Sequence, residues 1–81
     1  MKTRLGFVGI VLNQRGKSAP AINAILHEHA EHILGRMGLP RVRDTSSVIT
    51  LIVDMTTDEL GALTGRLGQV EGVQVKSGIT H

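Results

Sequence analysis

The chain has 81 residues, nine basic and seven acidic, with no cysteine and Phe7 as its single aromatic side chain. That length predicts one domain, residues 1–81, near the lower limit for a self-sufficient core, which must be built from Ile, Leu, Val and Met. The lack of cysteine excludes a disulfide scaffold, a thiolate metal site and a cysteine nucleophile, and a net charge of +2 is too small to imply nucleic acid by itself.

Residues 3–13 are apolar and β-like. Within it the apolar run 5–12 is short, includes two glycines and lacks a small-residue cleavage pattern, so it reads as a strand rather than a signal peptide or membrane span, and the cytoplasm is the expected compartment. It ends at the polar loop Asn13-Gln14-Arg15-Gly16-Lys17. Ser18 is the expected N-cap of a first helix, and Pro20 is tolerated in its first turn. The helical wheel places Ile22, Ile25, Leu26, Ala30, Ile33 and Met37 within one side, which predicts a helix as far as Met37. Gly38 would close it and Pro40 would bar its continuation.

Arg41–Ser46 then predicts a short polar strand and Val48–Met55 an apolar one. Thr56-x-x-Glu59 reads as a capping box opening a second helix. Along that helix Leu60, Leu63, Leu67 and Val70 share the side expected to face a sheet. Gly61, Gly65 and Gly68 cluster on another side, at a cost of about 1 kcal/mol each against alanine. Close approach of another backbone is the simplest compensation. Val73–Ile79 alternates as the last strand.

The order β-α-β-β-α-β predicts an α+β, ferredoxin-like two-layer sandwich: a four-stranded antiparallel sheet with both helices on one face and the first and third strands at its centre. In such a sheet the face without helices should be polar. The central strands do not comply. Leu5, Phe7 and Val11 oppose Val8, Ile10 and Leu12, while Ile49, Leu51 and Val53 oppose Val48 and Ile52. Apolar residues on both faces predict a cover, and with no residues left for another layer the cover is another copy. A homo-oligomer, dimer or tetramer, is therefore expected, through the open face or by edge-to-edge extension. Val8, Ile10, Leu12, Val48 and Ile52, with Gly61, Gly65 and Gly68, are the expected contact residues.

The run Gly61–Lys76 (GALTGRLGQVEGVQVK), with Asn23, the Gly35-Arg36-Met37-Gly38-Leu39-Pro40 corner and Ser47-Val48-Ile49, resembles the iron-only hydrogenase system regulator family. That family is similar to ACT domains and to the C-terminal domain of the nickel-responsive regulator. The resemblance implies a ferredoxin-like oligomer in transcriptional or metabolic regulation. It also implies an effector near the first strand-to-helix loop, since ACT-type domains place effectors there at a subunit interface.

Gly16-Lys17-Ser18 stands where a phosphate-binding loop would, yet that pattern requires glycine at Val11 and a larger fold. What survives is a site for a small anionic or amino-acid ligand built from Asn13, Arg15, Gly16, Lys17 and Ser18, with the helix start and two cations to hold it. His27, Glu28, His29 and His32 look like a metal cluster, but on a continuous helix only Glu28 and His32 pair at i, i+4. Two ligands hold zinc or nickel weakly unless another subunit or His81 completes the set, so a solvated helix face is preferred. The nickel-responsive regulator's site needs strand-borne histidines and a cysteine and is not carried over. No cofactor is implied.

The sheet lacks the stacked aromatics of RNA-recognition modules, and no helix-turn-helix or arm for DNA is present. Arg41 and Arg43 are explained as edge protection. Asp54, Asp58 and Glu59 surround a helix start, where acids meet the helix dipole. No acid–base or nucleophile grouping emerges, so the chain reads as a non-enzymatic regulatory, ligand-sensing homo-oligomer. Its alternatives are a metal-responsive module and a purely structural oligomer.

Overall fold

The computed structural model describes residues 2–13, 18–43 and 45–80. In chain order the elements are β1 (Arg4–Leu12), α1 (Ala19–Glu28), a short 3₁₀ turn (Ala30–His32), β2 (Ile33–Val42), β3 (Ser46–Met55), α2 (Thr57–Gly68) and β4 (Val73–Ile79). The strands pair antiparallel in the order β2-β3-β1-β4, so β1 and β3 are central. This is the ferredoxin-like α+β arrangement that the element order predicts. No helix among the described residues is long and apolar enough to cross a membrane.

The pleat decides which side chains make the core. Val8 pairs opposite Leu51 and Ile10 opposite Ile49 in the β1–β3 register. Val8, Ile10, Leu12, Leu51, Val53 and Met55 all point toward the helices and are buried. Ile22, Ile25 and Leu26 of α1 and Leu60, Leu63 and Leu67 of α2 close over them. Each such side chain contributes roughly 1.5–3 kcal/mol through burial. Val8, Ile10 and Leu12 are therefore not contact residues for another copy. They are already spent on the core of their own subunit.

α2 begins as its sequence predicts. The Thr56 hydroxyl accepts from the Glu59 backbone N–H at 3.1 Å, and the Thr56 N–H donates to the Glu59 carboxylate at 2.7 Å. The first helix differs from expectation. α1 ends at Glu28, where the His29 ring N–H donates to the Ile25 carbonyl at 2.9 Å. Ile33–Met37 belongs to β2, which pairs with β3 from Ile33 opposite Val53 to Val42 opposite Ser46. Gly35 weakens a helix by about 1 kcal/mol, whereas β2 supplies the partner that keeps β3 from being an open edge. Pro40 sits in an edge strand, where a missing N–H is tolerated. Arg41 and Val42 end β2 rather than opening a separate strand, and Arg43 makes the turn with φ 55°.

Candidate functional site

Two features of this frame are open to other molecules. The first is the sheet face opposite the helices. The register sets Leu5 beside Asp54, Phe7 between Ile52 and Gly78, Met37 opposite Thr50 and Leu39 opposite Val48. Leu5, Phe7, Met37, Leu39 and Ile52 are each about half exposed or more, from 47% at Ile52 to 64% at Met37. Val11 and Val48 share this face and are half-buried. Among the described residues nothing packs over it.

Val48 and Ile52 thus lie on the open face as expected, but Val8, Ile10 and Leu12 lie on the other. The five exposed apolar residues of this face include Met37, which the predicted helix hid from view, and Leu39, which fell in the turn expected after it. A signal for the correct parity was present: Thr50 and Asp54 alternate with Val48 and Ile52 and mark that side of β3 as outer. Gly61, Gly65 and Gly68 line an exposed side of α2, and a Cβ at any of them would meet no atom within 4 Å. Within one subunit nothing requires them to be glycine.

The second feature is a groove between α1 and β2. The Arg36 guanidinium, on the helix-facing side of β2, donates to Asn23 Oδ1 on α1 at 2.7 Å. This bond is a strut dividing the groove into two hollows, each lined by both residues. One, of about 250 Å³, is bounded by Leu12, Ala19, Ser47 and Ile49. The other is bounded by Leu26, His27, Ala30 and Ile33. The segments quoted above for the family resemblance, around Asn23, Arg36 and Ser47, meet at the first hollow.

Leu12 and Ala19, which flank the predicted ligand loop in the sequence, line that hollow. Arg15, Gly16 and Lys17 lie outside the described residues. Asn13 is exposed, and its side-chain oxygen accepts from the Ser46 hydroxyl at 3.3 Å. Ser18 precedes α1, but its hydroxyl makes no cap; it donates to the Glu71 carbonyl at 2.6 Å and is buried, which ties the start of α1 to the segment before β4. It is not free to hold an anion.

The histidines disperse. Because α1 stops at Glu28, Glu28 and His32 share no helix face. Glu28 pairs with Arg66 on α2. His32 Nε2 lies 3.2 Å from the Glu59 carboxylate, and His29 is engaged with Ile25. Among the described residues no three His, Asp or Glu side chains gather as metal ligands would. Arg66 holds the Glu28 carboxyl below its ordinary range through a hydrogen bond and its charge. The Thr56 backbone N–H does the same for Glu59, aided by the Thr56 hydroxyl and His32. These contacts fasten the end of α1 to α2 and have a structural role.

The fold and the whole chain have counterparts among solved structures. Protein TM1266 from Thermotoga maritima is 35% identical, aligns over 99% of this chain and 100% of its own, and superposes with a TM-score of 0.92. The ACT domain of GTP pyrophosphokinase from Chlorobium tepidum has the same fold at 21% identity, covering 93% of this chain and 97% of its own, with a TM-score of 0.78. The C-terminal domain of the MgtC protein from Mycobacterium tuberculosis does so at 18% identity, covering 98% and 89%, with a TM-score of 0.76. No curated protein matches the chain. The sequence model described as "TM1266-like: Iron-only hydrogenase system regulator, putative" matches residues 4–77, and the chain belongs to that family.

Proposed function

We propose that this chain is a non-enzymatic regulatory domain that works as a homo-oligomer in the cytoplasm and senses a small anionic or amino-acid ligand. The observation that carries the proposal is the open sheet face, with Leu5, Phe7, Met37, Leu39 and Ile52 exposed together across three adjacent strands. Contiguous apolar surface of this kind marks an interaction site on a small domain. A second copy brings an identical face, so one surface satisfies both partners across a two-fold axis. The glycine side of α2 offers a second contact, and the two together build a tetramer from dimers.

The ligand reading rests on the polar sequence Asn13–Ser18 and on the groove lined by Leu12 and Ala19, which flank it. Asn13 stands at the sheet end near the start of α1, with Arg15 and Lys17 in the same short segment. A ligand there regulates only if it favours one assembly or conformation over another. The family's description as a regulator supports this reading. Native mass spectrometry of protein purified from its own host tests both parts, because it reports subunit number and retained small molecule together. A dimer or tetramer carrying a small molecule is expected. An oligomer without one leaves a purely structural assembly, and a monomer removes the central claim.

A further inference from the structure

We infer that the hollow beside the Asn23–Arg36 strut is a binding site for a small monocarboxylate with a branched apolar tail. This rests on the ligand-sensing reading but moves the recognition chemistry from the loop to Arg36. Asn23 accepts one N–H of the guanidinium at 2.7 Å. A guanidinium has five donors in a fixed fork, so donors remain for a bidentate carboxylate while Asn23 fixes the plane of the group. Arg36 is the charged residue of this hollow among the described residues, and no carboxylate lines it. Arg36 suits the hollow to a negatively charged head group.

The remaining walls are apolar. Leu12 and Ile49 form the floor and Ala19 one side, with Ser47 as a polar neighbour. The hollow, of about 250 Å³ and open to solvent on one side, has room for a short-chain acid. Among the described residues a phosphate group would find one cation, Arg36, and an apolar floor. A carboxylate with a branched tail finds a fork for its head and aliphatic contact for its tail.

The test is an NMR titration of the full chain with isovalerate, run beside acetate, isoamyl alcohol and inorganic phosphate. Saturable shifts at the Asn23 side-chain amide and Arg36 Nε are expected with isovalerate, with acetate weaker and the alcohol without effect. Arg36→Gln should weaken binding roughly ten- to hundredfold, as expected on losing a hydrogen bond to a charged group, and Arg36→Lys should fall between the two. Asn23→Ala leaves the cation but frees its plane, so it should weaken binding while retaining some. Both residues are exposed, and an unchanged melting temperature verifies that the variants fold. Absence of saturable shifts at Asn23 and Arg36, or phosphate binding as well as isovalerate, overturns the site. Binding abolished by Arg15→Ala with Lys17→Ala but unchanged in Arg36→Gln also overturns it, while leaving ligand sensing through the loop intact.

Discussion

The ring of Phe7 lies over Gly78 on the neighbouring strand, so closely that a Cβ at Gly78 would fall 2.6 Å from its tip. The only aromatic side chain of the protein is thus spread across the exposed face of the sheet rather than buried in the core. Gly6, one residue before Phe7, is tight in a different way: a Cβ there would stand 2.7 Å from the Gly78 carbonyl oxygen.

These two glycines should respond differently to alanine. Gly6→Ala presses on backbone that cannot swing aside, and overpacking of this sort costs about 1–3 kcal/mol. Gly78→Ala presses on the half-exposed Phe7 ring, which can rotate away. Urea denaturation should show the larger loss for Gly6→Ala. Gly78→Ala should instead alter association, because it displaces a residue of the proposed interface.

The core assignment makes Val8 and Phe7 opposites despite their adjacency. Ile10→Ala should lose about 2–5 kcal/mol, the range for large-to-small changes at fully buried sites. Val8→Glu places an unpaired charge among Ile, Leu and Met and should prevent folding. Phe7→Glu should give a chain with native circular dichroism. If Val8→Glu folded normally, the assignment of the helix-facing side would be wrong.

Acid should weaken the junction between β3 and α2. The Glu59 carboxyl is held below its ordinary value of 4.5 by the Thr56 N–H first, then by the Thr56 hydroxyl and His32. A carboxyl whose value is lower in the folded chain stabilises the fold above the unfolded value and loses that contribution as pH falls through the folded one. Thermal unfolding followed from neutral pH downward should therefore show a decline beginning near pH 4.5. Glu59→Gln should make it shallower. Thr56→Ala should cost about 1 kcal/mol at neutral pH through the lost cap.

Gly65 separates subunit stability from assembly. Its Cβ position is open space in one subunit, so Gly65→Ala should stabilise the isolated chain by about 0.5–1 kcal/mol through helix propensity. If the glycine side of α2 is a contact between dimers, the same change should reduce tetramer to dimer in size-exclusion chromatography with light scattering. An unchanged assembly would remove α2 from the interface.

The order of elements, the central position of β1 and β3, and the cap at Thr56 were legible because each rests on local signals: period-two apolar runs, a box of two side chains, and connection rules. The end of α1 was not. Ile33 and Met37 continue the helical spacing of Ile22 and Leu26, and only the need of β3 for a partner pulls that segment into the sheet. Losing β2 hid Arg36 from Asn23, since a residue buried in a supposed helix does not reach across to the same helix. The open face was half legible: alternation showed that both sides of β1 are apolar, but which side meets the helices depends on a register that no single strand encodes.

Sedimentation equilibrium of the wild-type chain at micromolar concentration, beside Phe7→Glu combined with Ile52→Lys, decides whether the open sheet face joins copies of the chain. Both residues lie on the open face and outside the core, so the variant should remain folded. A wild-type dimer falling to one subunit of 8.7 kDa in the variant, or a wild-type tetramer falling to a dimer held by α2, is the predicted result. A wild-type monomer, or a variant that associates as the wild type does, would contradict it.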